Sequence, residues 1–322
     1  MMKKIYYILP VILLLMSCYK TDGGKETRNI RLQASIDASM SVSTKAVESV
    51  EAKPYYGTSS SGLKTSVWFS TVKGVYEDNP SPAAPTYIPY HADVEYAPDG
   101  MATVYKDPEN KQYPLTYPID NDTVYCVGVY PRDGWTLSGD SKTASRVING
   151  KDDIMYAAHK SGTWQHPIQE QVYKHQLTML KVIVRATSFD ATESWGKIKK
   201  ITIMSPYDAV KIDLKSDEVS YTGSAAQMIL MNTPMELDIT PVEIGSVMCA
   251  PDVKYNVIVE SEKSYVRDVN VVLKTSAGQT LSSADDAKGK YFIINLYFNS
   301  FNDIDANGEL LKWNEEYEDL NG

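Results

Sequence analysis

Ile30-Arg31-Leu32-Gln33-Ala34-Ser35-Ile36-Asp37-Ala38-Ser39-Met40-Ser41-Val42 is the longest run of strict alternation in the chain. Ile30, Leu32, Ala34, Ile36, Ala38, Met40 and Val42 fall on one side; charged, amide and hydroxyl residues fall on the other. Successive side chains of an extended strand point to opposite faces, so this period of two predicts β-structure with one buried face. The run stops at Thr44-Lys45-Ala46. It reads in two ways. One is a plain N-terminal edge strand. The other is a removable strand, cut after Lys45 or Arg28 by a trypsin-like protease. Its removal would open an apolar groove that another subunit's strand could fill, with backbone hydrogen bonds giving affinity and alternate side chains giving specificity.

Upstream, Met1 to Lys4 carries two lysines, and Ile5 to Met16 is an apolar run broken by Pro10. That run is too short for a permanent membrane span. A basic start, a short apolar centre and a small residue before the cut describe a secretory signal peptide. Leu15-Met16-Ser17-Cys18 ends it at a cysteine, the pattern of a bacterial lipoprotein. Cys18 would then carry lipid on its sulfur and its new amine, and several acyl chains hold a protein on a membrane far more firmly than one. Tyr19 to Thr27 is polar and contains glycine, the composition of a flexible tether.

Downstream, the chain reads as strands without a long amphipathic helix. Thr65 to Val72 and Thr123 to Tyr130 are strand-like, and Asn79 to Tyr90 holds four prolines, as a loop or sheet edge would. His166-Pro167 reads as a joint, after which the alternation sharpens. Leu180, Val182, Val184 and Ala186 share a face; Ile198, Ile201 and Ile203, then Val210, Ile212 and Leu214, follow. Tyr255, Val257 and Val259, then Val269, Val271 and Leu273, and finally Phe292, Ile294, Leu296 and Phe298 complete the series. Turn residues separate these runs at fairly regular spacing, which predicts an all-β antiparallel sandwich. The expected division is a signal peptide over 1–17, tether and first strand over 18–45, and domains over 46–165 and 166–322.

Composition excludes several functions. The net charge is −9, and removing the two signal lysines makes the mature chain −11. Such a surface does not suit nucleic acid, which needs clustered cations. Cys126 and Cys249 could pair in an oxidising compartment, but they lie in separate strand-like runs and read in preference as buried free thiols. His159, His166 and His175 stand near Asp152 and Asp153, but no helix or tight spacing brings them together as metal ligands. Gly57 to Gly62 lacks the lysine of a phosphate cradle, and no Gly-x-Ser-x-Gly elbow is present. Asp303-Ile304-Asp305-Ala306-Asn307-Gly308 matches half of a calcium loop. Its twelfth position is Asn314 instead of glutamate, and the stretch reads as a hairpin turn at Asn307-Gly308. No metal, cofactor or enzymatic activity is expected.

Three segments carry a resemblance. They are Val127-Gly128-Val129-Tyr130-Pro131, Asp153-Ile154-Met155-Tyr156-Ala157, and Tyr173-Lys174-His175-Gln176-Leu177-Thr178-Met179-Leu180-Lys181-Val182-Ile183-Val184. Their order and spacing, with the cysteine-ended signal and the late Trp313, resemble the fimbrillin family, the lipoprotein subunits of type V pili. The resemblance implies two transthyretin-like antiparallel β-sandwich (Greek-key) domains in series. It implies lipidation at Cys18, anchoring in the outer membrane, and removal of tether and first strand by a cut after an arginine or lysine, here between Lys45 and Ala46. It further implies donor-strand exchange with other pilus subunits, and a host or bacterial surface receptor as a possible partner. Leu311 to Gly322 supplies few apolar residues for a donor strand beyond Trp313, Tyr317 and Leu320, so stalk, tip and anchor roles stay open. The competing reading is a surface glycan-binding outer-membrane lipoprotein, with Trp135 and Trp164 as stacking platforms.

Overall fold

The structure is a computed structural model and describes residues 28–37, 63–76, 90–97, 99–105, 111, 114–140, 142–300 and 303–311. In chain order the first strands are β1 (Arg31–Ile36), β2 (Lys64–Ser70), β3 (Tyr90–Glu95), β4 (Met101–Thr103) and β5 (Val124–Tyr130). Then come β6 (Thr136–Leu137), β7 (Thr143–Val147), β8 (Met155–Gly162), β9 (Gln171–His175) and β10 (Thr178–Ala186). A short helix, α1 (Phe189–Trp195), precedes β11 (Ile198–Ser205), β12 (Ala209–Asp213), β13 (Val219–Thr222), β14 (Ala226–Met231) and β15 (Val242–Cys249). The last strands are β16 (Lys254–Ser261), β17 (Val266–Lys274), β18 (Tyr291–Phe298) and β19 (Ile304–Leu311).

These strands form a seven-stranded sheet of order β3-β2-β5-β8-β9-β1-β4 and an eight-stranded sheet of order β14-β11-β16-β17-β19-β18-β10-β15. A four-stranded sheet, β13-β12-β7-β6, joins strands from both halves of the chain. The all-β, two-domain organisation read from the sequence is present. Most ladders are antiparallel, but β1–β9, β10–β18 and β17–β19 run parallel. The chain passes from the seven-stranded to the eight-stranded sheet between His175 and Thr178, after β9, and not at His166-Pro167. β6 and β7, sequentially in the first half, pair through β7 with β12 of the second.

Two cores account for the burial pattern. The first gathers side chains from every strand of the seven-stranded sheet, which therefore curls around it: Leu32, Val67, Val94, Ala102, Cys126, Met155 and Tyr173 among them. The second fills the C-terminal sandwich with Val182, Ile203, Val210, Val257, Leu273 and Ile294, and it reaches Trp68, Val127, Val129 and Tyr156. The central strands β2, β5 and β8 thus bury both faces. A strand buried on both faces reads as a continuous apolar run, which is why alternation is faint in β2 and β5, whereas β1 and many of the later strands show it clearly. The three-residue step from Ile198 to Ile201 coincides with a register shift between β11 and β16 at Ile198/Lys200. A bulge of this kind inserts one residue and restores the inward phase.

The expected turn at Asn307-Gly308 is absent. Both residues lie inside β19, paired with Asn295 and Ile294 of β18, so the stretch is neither a hairpin tip nor a calcium loop. Gly308 serves close packing instead: a Cβ there would stand 2.8 Å from Cδ2 of buried Leu273.

Candidate functional site

The first strand occupies an internal slot, not an edge. β1 lies between β9 and β4 in the seven-stranded sheet. Arg31, Leu32 and Gln33 pair antiparallel with Thr103, Ala102 and Met101. Ala34, Ser35 and Ile36 pair parallel with Gln171, Val172 and Tyr173. The flanks extend the hold: Ile30 N–H donates to Leu115 O at 2.7 Å, and Asp37 N–H donates to Tyr173 O at 2.9 Å. One strand therefore bridges two neighbours, its first half bonded to one and its second half to the other.

Alternation places the side chains as the sequence requires. Ile30 and Leu32 are fully buried, Ala34 and Ile36 nearly so, whereas Arg31 and Gln33 are exposed. The four inward residues complete the first core. Beneath them lies a polar floor. Gln171 Nε2 donates to Cys126 Sγ at 3.3 Å, and the Tyr96 hydroxyl donates to Gln171 Oε1 at 2.8 Å. The Tyr96 and Tyr173 hydroxyls are 3.5 Å apart, their rings edge to face with centroids 6.2 Å apart. Gly128 makes room for this floor, since a Cβ there would stand 2.2 Å from the Tyr173 hydroxyl oxygen. Burial pushes the Cys126 thiol up to about 12, so it stays protonated.

Ile30, Leu32, Ala34 and Ile36 are thus brought together in the slot. Ala38, Met40 and Val42, the cut at Lys45-Ala46, and Cys18 lie outside the described residues. The alternative cut after Arg28 is described: its carbonyl accepts from Tyr117 N–H at 2.8 Å and its guanidinium sits over the Trp164 ring, 5.7 Å from the centroid. A protease would have to peel this segment away first. The two tryptophans considered as sugar platforms are both half-buried and employed: Trp135 Nε1 donates to Pro131 O at 2.9 Å, and Trp164 packs on the first core. Cys126 and Cys249 are buried free thiols, one in each core.

The histidines do not converge. His175 Nδ1 donates to buried Asp153 Oδ2 at 2.5 Å, locking β9 to the segment before β8. Asp153 and His175 come from two of the segments quoted above, and their contact gives those segments a shared physical role. His159, on β8, instead donates from Nδ1 to Asp217 Oδ1 at 2.5 Å. Asp217 sits in the β12–β13 turn with φ of 65°, and also accepts from the Tyr156 hydroxyl at 2.6 Å and His159 N–H at 3.1 Å. Lys73 Nζ is 3.9 Å away, and the Tyr76 ring tilts against His159. This cluster ties the seven-stranded sheet to the four-stranded sheet. Sequence reading did not find it, because Asp217 is one acid among many until β12 and β13 fold back onto β8.

The cluster fixes a pH dependence. Burial lowers His159 below its ordinary value of 6.5, against the pull of Asp217. Burial would raise the Asp217 carboxyl, but hydrogen bonds from Tyr156 and His159 outweigh it and hold it below 3.8. Both folded values are depressed, so the unfolded chain takes up protons first as pH falls. Stability is therefore expected to be full above 6.5 and to fall on acidification, first through His159 and then through Asp217. A Tm series from pH 7.5 to 3 checks this, with Asp217→Asn expected to flatten the limb below about pH 4.

No protein-family model matches the chain, and no curated protein matches it in sequence. Solved structures do. A Bacteroides uniformis structure described as a "putative cell adhesion protein" superposes with TM-score 0.53 at 14% identity, over 88% of this chain and 98% of that one. One from Bacteroides ovatus with the same description gives TM-score 0.53 at 14% identity, over 89% and 98%. A Bacteroides thetaiotaomicron structure described as "putative polysaccharide binding proteins" gives TM-score 0.50 at 10% identity, over 90% and 99%. At 10–14% identity the chain shares the fold of these Bacteroides proteins along most of its length.

Proposed function

We propose that this protein is a structural or adhesive subunit of a cell-surface pilus, exported as a lipoprotein on Cys18 and assembled by strand exchange after a cut between Lys45 and Ala46. One observation carries the reading: β1 is an internal strand near the N-terminus, and in the sequence the alternation that builds it runs on to Val42 and stops just before Lys45, the basic residue at which it would be severed. A cut there leaves β1 held without a covalent link to the rest of the fold. Burying Ile30, Leu32 and Ile36 contributes about 1.5–3 kcal/mol each, so the severed strand stays seated until another strand displaces it. Loss without replacement would leave unpaired backbone edges and an open apolar slot, which favours exchange over release. Repeating one such contact from subunit to subunit builds a filament.

The fold likeness to structures described as putative cell adhesion proteins supports a surface adhesive role. The glycan-binding alternative draws less support, since Trp135 and Trp164 both pack against the cores instead of forming an open platform. Mass spectrometry of the protein recovered from cells tests the reading. The expected mature chain starts at Ala46 and is found in high-mass assemblies, and Lys45→Gln is expected to retain lipidated Cys18 and lose the assemblies. A wild-type protein that always starts at Cys18 and never assembles would sink the proposal.

A further inference from the structure

We propose that the β1 slot selects its strand by size at a single register position: a small residue beside Gln171, with bulky apolar residues two places to either side. This rests on the reading of β1 as a replaceable strand. Alternation alone cannot fix register. A slip of one residue turns Arg31, Gln33 and Ser35 inward and is rejected outright. A slip of two keeps every apolar residue on the correct face, so something other than polarity must exclude it.

Ala34 provides that second criterion. It is the register partner of Gln171, and partners in a ladder point to the same face. Its N–H donates to Gly100 O at 2.9 Å on the other side, where buried Gly100 offers no side chain to yield. Gln171 is itself fully buried and pinned by Tyr96 and Cys126. A leucine or isoleucine in place of Ala34 would have to push Gln171 out of at least one of its two hydrogen bonds. A buried polar group that loses its partners is far costlier than an apolar side chain that shifts. A two-residue slip would place Leu32 or Ile36 in that position. A four-residue slip would bring Ala38 there, but would put Ala34 where Ile30 fills the core, leaving a cavity. The native register alone satisfies all four inward positions. The accepted strand therefore reads bulky, bulky, small, bulky at alternate residues, and runs parallel to β9.

The test uses the uncut chain with a site-specific protease sequence in place of residues 44–46. After cleavage, fluorescent peptides of residues 28–43 are added in excess and incorporation is read by size-exclusion chromatography. The native peptide is expected to enter. Ser35→Leu, which adds the same bulk on the outward face, is expected to enter equally. Ala34→Leu is expected to enter roughly tenfold less, the scale of one lost buried hydrogen bond. In Gln171→Ala protein that difference is expected to shrink to about twofold or less. Entry of the Ala34→Leu and native peptides to the same extent would overturn the size rule while leaving strand exchange standing. A tenfold discrimination unchanged by Gln171→Ala would overturn the role of Gln171. Failure of the native peptide to enter would overturn strand exchange itself, and the size rule with it.

Discussion

Leu32→Ala is expected to lower the unfolding free energy by about 2–5 kcal/mol, whereas Gln33→Ala next to it changes stability by no more than about 0.5 kcal/mol. The contrast follows from alternation within an internal strand. Leu32 is fully buried in the first core, opposite Ala102 of β4, and Gln33 faces solvent. Removing three carbons from the core forfeits their transfer free energy and leaves a cavity, because the surrounding core relaxes only in part. Equilibrium urea unfolding of the uncut chain measures both variants. If Leu32→Ala proved as mild as Gln33→Ala, β1 would not be seated in the slot, and its exchange would have no structural meaning. Because the same side chain would anchor a severed strand, Leu32→Ala is also expected to speed strand loss after cleavage.

The second large effect is expected at Trp195. Trp195→Ala should lose about 3–5 kcal/mol, and Trp195→Phe distinctly less. Trp195 is the last residue of α1, a plug of about two turns between β10 and β11. Ser188 caps the helix start by accepting Ala191 N–H, and Gly196, at φ of 62°, ends it. This brief helix places the indole, fully buried, edge-on to Phe298 at a centroid distance of 5.0 Å and to Tyr265 at 5.8 Å. Its Nε1 donates to Asn299 O at 2.9 Å. The alanine variant loses aromatic area and leaves the half-buried Asn299 carbonyl short of a partner; the phenylalanine variant keeps most of the area and loses the hydrogen bond. Thermal unfolding followed by near-ultraviolet circular dichroism would separate them. Equal losses would mean that the hydrogen bond outweighs the packing.

How much was legible in advance depended on how each strand is buried. The strands after residue 177 that face solvent on one side, such as β10, β16 and β18, show clean alternation, and each of their apolar residues named from the sequence is buried. β13, β14 and β15 carry little signal in the sequence, because β13 and β14 lie at sheet edges with few buried residues and β15 breaks phase at Gly245. Asn307-Gly308 misled for a definite reason. The pair favours a tight turn when nothing else acts on it, but here the parallel contact with β17 needs a residue without a side chain, and packing overrode the local preference.

The amino-acid sequence by itself determined the β-class, the inward faces of the one-sided strands, and the amphipathic first strand with its basic residue just beyond. These are local properties, fixed by alternation and by residue chemistry along a few consecutive positions. Only the tertiary structure decided that β1 is internal and bridges β4 to β9, that β7 crosses to β12, and that Asp217 reaches His159. Each of those facts pairs residues dozens of positions apart. Such pairings depend on which edges and faces meet when all the strands bury their apolar sides together, and no local pattern encodes that choice.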